Sequence, residues 1–354
     1  MRFEMLSRSE ANSSDRPEHA LETQQTVCSC CGSNASHEIA RGRDYIYNGC
    51  DRYLSLVACD ACAHIYLNPQ PTVNALPIMY PANYGTFSSK FRGEANLLAL
   101  IKNAVNLKRF KRVAGVLLKG MRILDVGCGN GELLRALATA RPDLELYALD
   151  WHFPPATRRD LETAGIHLIE GTLENVPLPE NFFDRVLMYQ LIEHLWEPRA
   201  GLSKLATTLK PGGIIAIETP DTDGYDRYFF SRGTWGGYYV PRHLNLYNFE
   251  RLARLLTDSG LEIVQQKSLP APVIWCYSLQ ASLQERLGAR TKIARLFDLR
   301  NIAALAGFAL LDMAVVGAGL KSSNQQAVAR KPALGRSGDA RDDVHAFAVR
   351  NQPL

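Results

Sequence analysis

From residue 121 to about 270, short apolar runs alternate with amphipathic stretches. MRILDV (121–126), LELYALD (144–150), IHLIEG (166–171), FDRVLMYQ (183–190) and GIIAIETP (213–220) are apolar and bounded by turn residues, the pattern of buried strands. GELLRALATA (131–140), PATRRDLETAG (155–165) and RAGLSKLATTL (199–209) lie between them and read as helices. The last is stopped by Lys210-Pro211-Gly212-Gly213, because proline cannot continue a helix and glycine closes one cleanly. Strands and helices alternating at this length predict an α/β fold, a parallel sheet with helices on both faces.

The flanks read differently. Residues 1–25 and 332–354 are polar and predict a disordered lead-in and tail. The lead-in lacks the apolar core of a signal peptide, which predicts a cytoplasmic protein. Residues 69–85 carry four prolines and read as an irregular connector. Apolar positions across 91–119 recur at helical spacing, with Lys102, Lys108, Arg109, Lys111 and Arg112 between them. These bases read as a solvated helix face, with contact to an anionic substrate, lipid or RNA as the alternative. Residues 301–320 approach the length of a membrane span, but Asp312 lies inside the run and would be costly there. The expectation is a helical insertion at about 271–320, packed on the catalytic domain. The second reading is shallow membrane-surface contact through 296–320. A formal net charge of +4 is too mild to argue for nucleic acid.

Six of the eight cysteines fall between residues 28 and 62. Without a secretory signal, such crowding favours a metal over disulfides. Cys28-x-x-Cys31 and Cys59-x-x-Cys62 supply four thiolates for a structural, tetrahedral Zn2+, and predict a zinc-ribbon module over 26–68. Cys30 and Cys50 are then spare, and a slipped pairing through Cys30 is the alternative.

The first strand runs into Asp125-Val126-Gly127-Cys128-Gly129-Asn130-Gly131. Glycines at alternate positions allow a sharp turn with exposed N–H groups. The spacing is G-x-G-x-G rather than the G-x-G-x-x-G of dinucleotide sites. That suits S-adenosylmethionine, which has an ammonium, a carboxylate and a sulfonium but no phosphate. Asp125 would serve the cationic side, and the backbone from Gly127 through Cys128 and Gly129 to Gly131 the polar atoms nearby. Asp150, at the tip of the second strand, is placed to accept both ribose hydroxyls, and Trp151 offers a face to adenine or ribose. Thr172 or Leu173, after the third strand, would touch adenine. Gln190 and Leu191, after the fourth, would lie along the methionyl arm.

DVGCGNGELL, ALD, FFDRVLMYQLIEHLWEP and LKPGGIIAIETP together resemble the class I methyltransferases. They are most similar to the subgroup with Glu-His after strand four, which includes ubiquinone-biosynthesis and sugar-modifying members. The resemblance covers about 120–270. It implies a Rossmann-like sheet of order 3-2-1-4-5-7-6 within a domain over 120–331, with an antiparallel last strand for which QQAVARK (325–331) is the candidate. The cysteine unit is similar to the N-terminal zinc ribbon of some bacterial methyltransferases, including C-methyltransferases of nucleotide-linked deoxysugars. AHIYLNPQP (63–71) and MYPANY (79–84) match its continuation, which implies that Tyr80 or Tyr84 approaches the cofactor or packs the two parts together.

Residues 233–247 are rich in glycine and aromatics and read as an acceptor loop and lid. Direct in-line methyl transfer needs a positioned nucleophile and often a base. His243 and His194 are the two candidates, with structural roles as the alternative, and Arg242 is a candidate to hold an anionic group. The expected acceptor is a small molecule, first a nucleotide sugar or glycan precursor. An RNA acceptor would want a basic ribbon, but Arg41, Arg43 and Arg52 face Glu38, Asp44, Asp51 and Asp60 across 26–68, which makes nucleic acid unlikely. A non-catalytic cofactor-binding partner subunit is the remaining alternative.

Overall fold

The computed structural model describes residues 21–81, 107, 110, 116–230, 232–288 and 291–333. Tyr84, most of the helix expected over 91–119, and the outer parts of the lead-in and tail lie outside the described residues.

Five short strands open the fold: β1 (Thr23–Gln24), β2 (Ser36–Gly42), β3 (Leu54–Cys59), β4 (Ile65–Leu67) and β5 (Gln70–Pro71). β2, β3 and β4 form an antiparallel meander. β1 pairs with β5 and Leu21 is buried, so order begins before residue 25, where the polar composition predicted none. The reason is one apolar side chain and two backbone pairings, too little to register in a composition.

The main domain follows as β6 (Arg122–Val126), α1 (Glu132–Ala140), β7 (Glu145–Asp150), α2 (Pro155–Thr163), β8 (His167–Glu170), β9 (Phe183–Tyr189), α3 (Pro198–Thr208), β10 (Leu209–Pro220), β11 (Asn245–Leu246), α4 (Phe249–Asp258), β12 (Glu262–Leu269), α5 (Pro272–Leu287), α6 (Ile302–Gly317) and β13 (Asn324–Arg330). Seven of these strands make one sheet in the order β12-β13-β10-β9-β6-β7-β8. Numbered within the sheet, that is 3-2-1-4-5-7-6 read from the β8 edge, as expected. β13 runs antiparallel to both of its neighbours.

The period-two pattern explains the two-sided sheet. Leu124, Val126, Val186, Met188, Ile215 and Ile217 enter one core cluster, while Ile123, Leu187, Ala216 and Val328 enter another. The Pro-Gly-Gly stop after α3 is absorbed as a register shift between Leu209 and Ile214 where β10 meets β9.

A third core joins the N-terminal meander to the loop after β10. Leu54, Leu56 and Leu67 pack with Trp235, Tyr238, Leu244 and Leu246. β11 completes the small sheet in the order β11-β4-β3-β2, with Asn245 opposite Tyr66. The stretch read as an acceptor loop and lid is therefore largely core: Trp235, Tyr238 and Tyr247 are buried.

Candidate active site

The glycine turn leaves β6 with positive φ at Gly127 (73°), Gly129 (58°) and Gly131 (69°), a region where side chains with a Cβ are strained. A Cβ on Gly131 would sit 2.3 Å from Leu161 Cδ2, and one on Gly127 2.9 Å from Leu191 Cδ1. Gly127 N–H donates to the Leu149 carbonyl at 2.8 Å. Gly129 N–H donates to Asp150 Oδ2 at 2.7 Å. The acid at the end of β7 thus holds the turn while remaining on the wall of the adjacent cleft. Burial pushes the Asp150 carboxyl up to about 6, opposed by the N–H groups of Gly129, Trp151 and His152. Burial, then the charges of Asp125 and Asp150, push the Cys128 thiol up.

An open cleft lies beside the turn. Of the residues expected from sequence, Gly127, Asp150, Trp151, Thr172, Leu173, Gln190, Leu191 and His194 line it. Tyr80 lines it too, joined by Leu76 and Trp196, which drew no functional reading from sequence. Asp125, Cys128, Gly129, Gly131 and His243 are not on its wall. Gln190 holds a left-handed φ of 55°, uncommon for a residue with a side chain. Its N–H donates to the Glu218 carbonyl at 2.7 Å and its amide to Asn324 at 3.1 Å, and the two bonds hold that backbone in place.

The two histidines meet beside the cleft, with ring centroids 4.7 Å apart and nearly perpendicular. His194 Nδ1 lies 3.1 Å from the Arg242 carbonyl and 3.0 Å from the Tyr80 hydroxyl. A carbonyl only accepts, so the neutral ring carries its proton on Nδ1 and keeps a lone pair on Nε2. His243 Nδ1 lies 2.7 Å from the Gly237 carbonyl, which assigns the same tautomer. Burial pushes His194 down to about 4, and burial together with the neighbouring His194 pushes His243 well below its ordinary value. Glu193, fully buried, lies behind them. Its Oε2 accepts from Thr219 at 2.9 Å, while Oε1 has no hydrogen bond and sits 3.9 Å from His243 Nε2. Burial pushes this carboxyl up to about 8, so it carries a proton at neutral pH. Glu193, His194 and His243 also bring three possible metal-ligand atoms within 4.8 Å of one another.

A family model described as a methyltransferase domain matches residues 100–266. Over 176 residues the chain is 30% identical to the ubiquinone/menaquinone biosynthesis C-methyltransferase of Bordetella parapertussis, covering 44% of this chain and 68% of that protein. Over 179 residues it is 31% identical to the ubiquinone biosynthesis O-methyltransferase of Dinoroseobacter shibae, covering 48% and 69%. The chain belongs to the S-adenosylmethionine-dependent methyltransferases. A further 34% identity over 113 residues, to the tRNA U34 carboxymethyltransferase of Syntrophotalea carbinolica, covers 30% of this chain and only 34% of that protein. The chain spans from a third to about two thirds of the length of these relatives. Their names cover a C-methyltransferase, an O-methyltransferase and a tRNA-modifying enzyme, so the likeness carries the reaction type and not the acceptor.

Two further clusters of this methyltransferase bear on the sequence reading. Cys28 and Cys62 bring their Sγ atoms to 3.6 Å, and Cys31 and Cys59 to 3.5 Å. All four Sγ atoms lie within 4.8 Å of one another, without Cys30 or Cys50. Four thiolates about 2.3 Å from a tetrahedral zinc stand about 3.8 Å apart, so the residues fit the ion. Arg242 is not available to an anionic ligand in the way its type suggested. It is completely buried, forms a two-pronged pair with Asp44 (3.1 and 2.9 Å), and lies against the rings of Tyr47 and Tyr239. Burying a guanidinium requires such a partner.

Proposed function

We propose that this methyltransferase acts on a small molecule bound in the cleft, with His194 as the general base. The observation that carries the reading is that His194 shares one cleft with the Asp150-anchored glycine turn, with its Nδ1 proton engaged. Asp150 would accept the ribose hydroxyls, Trp151 would cover the ribose or adenine, and Thr172 with Leu173 would border the adenine. Gln190 and Leu191 would follow the methionyl arm with Gly127 beside them, since the N–H groups of Gly127, Cys128, Gly129 and Gly131 are spent within the turn and on Leu149 and Asp150. S-adenosylmethionine, when bound, supplies an electrophilic methyl on a sulfonium. The protein's part is to hold the acceptor in line, exclude water and take the acceptor's proton at His194 Nε2. Burial keeps His194 neutral, and the Arg242 carbonyl and the Tyr80 hydroxyl orient it.

A nucleotide sugar or glycan precursor is the favoured acceptor class. Against RNA, the bases of the small sheet are already engaged. Arg41 pairs with Glu38, Arg43 with Asp51, and Arg52 donates to the Leu21 carbonyl. Cys28, Cys31, Cys59 and Cys62 would hold one structural Zn2+ closed to substrate.

Calorimetry with S-adenosylmethionine and its demethylated product tests the cofactor assignment. Asp150→Ala is expected to weaken both by at least about tenfold, the loss of hydrogen bonds to a charged acceptor. Equal affinity in a folded Asp150→Ala protein refutes the ribose role. Labelled-methyl transfer into extract fractionated by polarity then identifies the acceptor, and label found only in RNA would overturn the small-molecule reading.

A further inference from the structure

α6 reads IAALAGFALLDMAVVG, with Asp312 as its one charged residue. A helix apolar on all sides is ordinarily enclosed by protein. Here the arrangement is reversed: Asp312 is the buried residue of the helix, while Ile302 (64% exposed), Leu310 (64%) and Met313 (51%) face outward. Asp312 accepts from the Ala271 N–H and, at 3.0 Å, from the Trp275 indole N–H. Trp275 also stacks on Phe308 of α6 at 5.4 Å. The residue that weighs against membrane contact in the sequence is therefore turned into the protein as an anchor. The outward face is left without any charge. Phe229, its ring 6.4 Å from Trp275, and Tyr228 extend the exposed apolar surface beside the helix. Contiguous exposed apolar surface of this kind is a candidate interaction site.

The dimensions and charges narrow the partner. Sixteen residues span about 24 Å, short of the ~30 Å hydrocarbon core of a bilayer. Among the described residues no helix is long and apolar enough to cross a membrane. Between the end of α5 and the start of β13 the sequence carries Arg290, Lys292, Arg295, Arg300 and Lys321 against Asp298 and Asp312. Asp298 is paired with Arg300, Lys321 with Asp223, and Asp312 is buried, while Arg295 is exposed. An uncharged apolar face on a segment whose sequence has an excess of bases, with Arg295 exposed, complements an anionic lipid surface. Self-association through this face would bring two basic segments together, and no polar side chain on the face would set a register.

We propose that α6 docks in the plane of an anionic lipid bilayer, with its apolar face below the headgroups and Arg295 among them. This goes beyond the reaction assigned above and does not depend on it. The face is also connected to the histidine pair through one helix. α5 turns Trp275 toward α6 and Tyr277 toward Tyr239, stacked at 5.4 Å, and the Tyr239 ring lies 5.0 Å from His243.

Co-sedimentation of the full chain with vesicles tests the proposal, using phosphatidylcholine alone and phosphatidylcholine with phosphatidylglycerol. The full chain is expected to pellet with the anionic vesicles and remain in the supernatant with the neutral ones. The double variant Leu310→Glu, Met313→Glu should weaken pelleting at least about tenfold, since two charges enter the apolar face. Arg295→Glu, which leaves that face intact, should weaken it about fivefold or more. Both variants change exposed side chains, so unchanged melting temperature and cofactor affinity are expected and show that they fold. No pelleting with anionic vesicles, or equal pelleting of both variants, overturns the proposal. So does a dimer in light scattering that the double variant abolishes while vesicles stay unbound, which would assign the face to a second copy.

Discussion

At the scale of single residues, the site depends on groups whose charge state burial has changed. His194 is held down to about 4 where a free imidazole would lie near its ordinary 6.5. A base of this kind is already neutral throughout pH 6 to 8, so the kcat/KM profile should show no limb from His194 in that range. His194→Ala should lower kcat/KM by about 100-fold or more, the usual worth of a positioned base, with cofactor affinity little changed. A limb near 6.5 that vanishes in His194→Ala would contradict the buried assignment. Glu193 behaves oppositely. Its folded value, about 8, lies above its ordinary 4.5, so the folded state holds a proton that the unfolded state has released. The stability tied to that proton is fully present below pH 4.5 and is lost as pH rises through 8. Glu193→Gln keeps the shape and removes the titration. Denaturant melts of the wild type between pH 5 and 9 should therefore fall more steeply with pH than those of the variant, and parallel curves would refute the protonated state.

At the scale of elements, the glycine turn gives the sharpest contrast. Gly131→Ala meets both a positive φ and Leu161 at 2.3 Å, whereas Gly165, at φ 73°, has nothing within 4 Å of an added Cβ. Gly165→Ala should cost about 1 kcal/mol, the backbone strain alone. Gly131→Ala should cost about 3 kcal/mol, with displacement of α2 added, and should also weaken cofactor binding. Equal melting temperatures for the two variants would show that the turn tolerates a side chain. The turn and the sheet strands were legible because their signals are local: a two-residue period and glycines at fixed offsets. The acid of β7 was legible because its distance from the turn follows from one helix and one strand. What escaped the sequence has distant partners. Asp44 meets Arg242 across 198 positions, and β11 joins a sheet whose other strands end near residue 67. No local pattern marks such pairings, so Arg242 read as a free cation and residues 233–247 as a lid. The apolar run of α6 was visible, but which way Asp312 points was not.

At the scale of the molecule, the cysteine cluster and the reaction site are parts of one hydrogen-bonded assembly. Ser29, inside the first knuckle, donates to Asn245 Oδ1 at 2.7 Å. Asn245 donates to the Leu195 carbonyl at 2.8 Å, and the N–H of Leu244 donates to the Glu193 carbonyl at 2.7 Å. His243 lies next in the chain. Loss of the zinc proposed for this cluster should therefore reach the histidine pair, because four crowded thiols that hold no ion must spread or protonate. Cys59→Ser, or a strong chelator, is expected to reduce zinc from one per chain to near zero and to lower the melting temperature. It should also cut kcat by about tenfold or more through misplacement of the base. The Michaelis constant for S-adenosylmethionine should move little, because the cofactor's expected contacts sit on β6, β7 and the turns after β8 and β9. Metal analysis, melting and steady-state kinetics on the same samples decide the matter. A zinc-free protein with wild-type kcat would mean that the ribbon is a separable bead, and that β11 serves to attach it rather than to carry its order into the site.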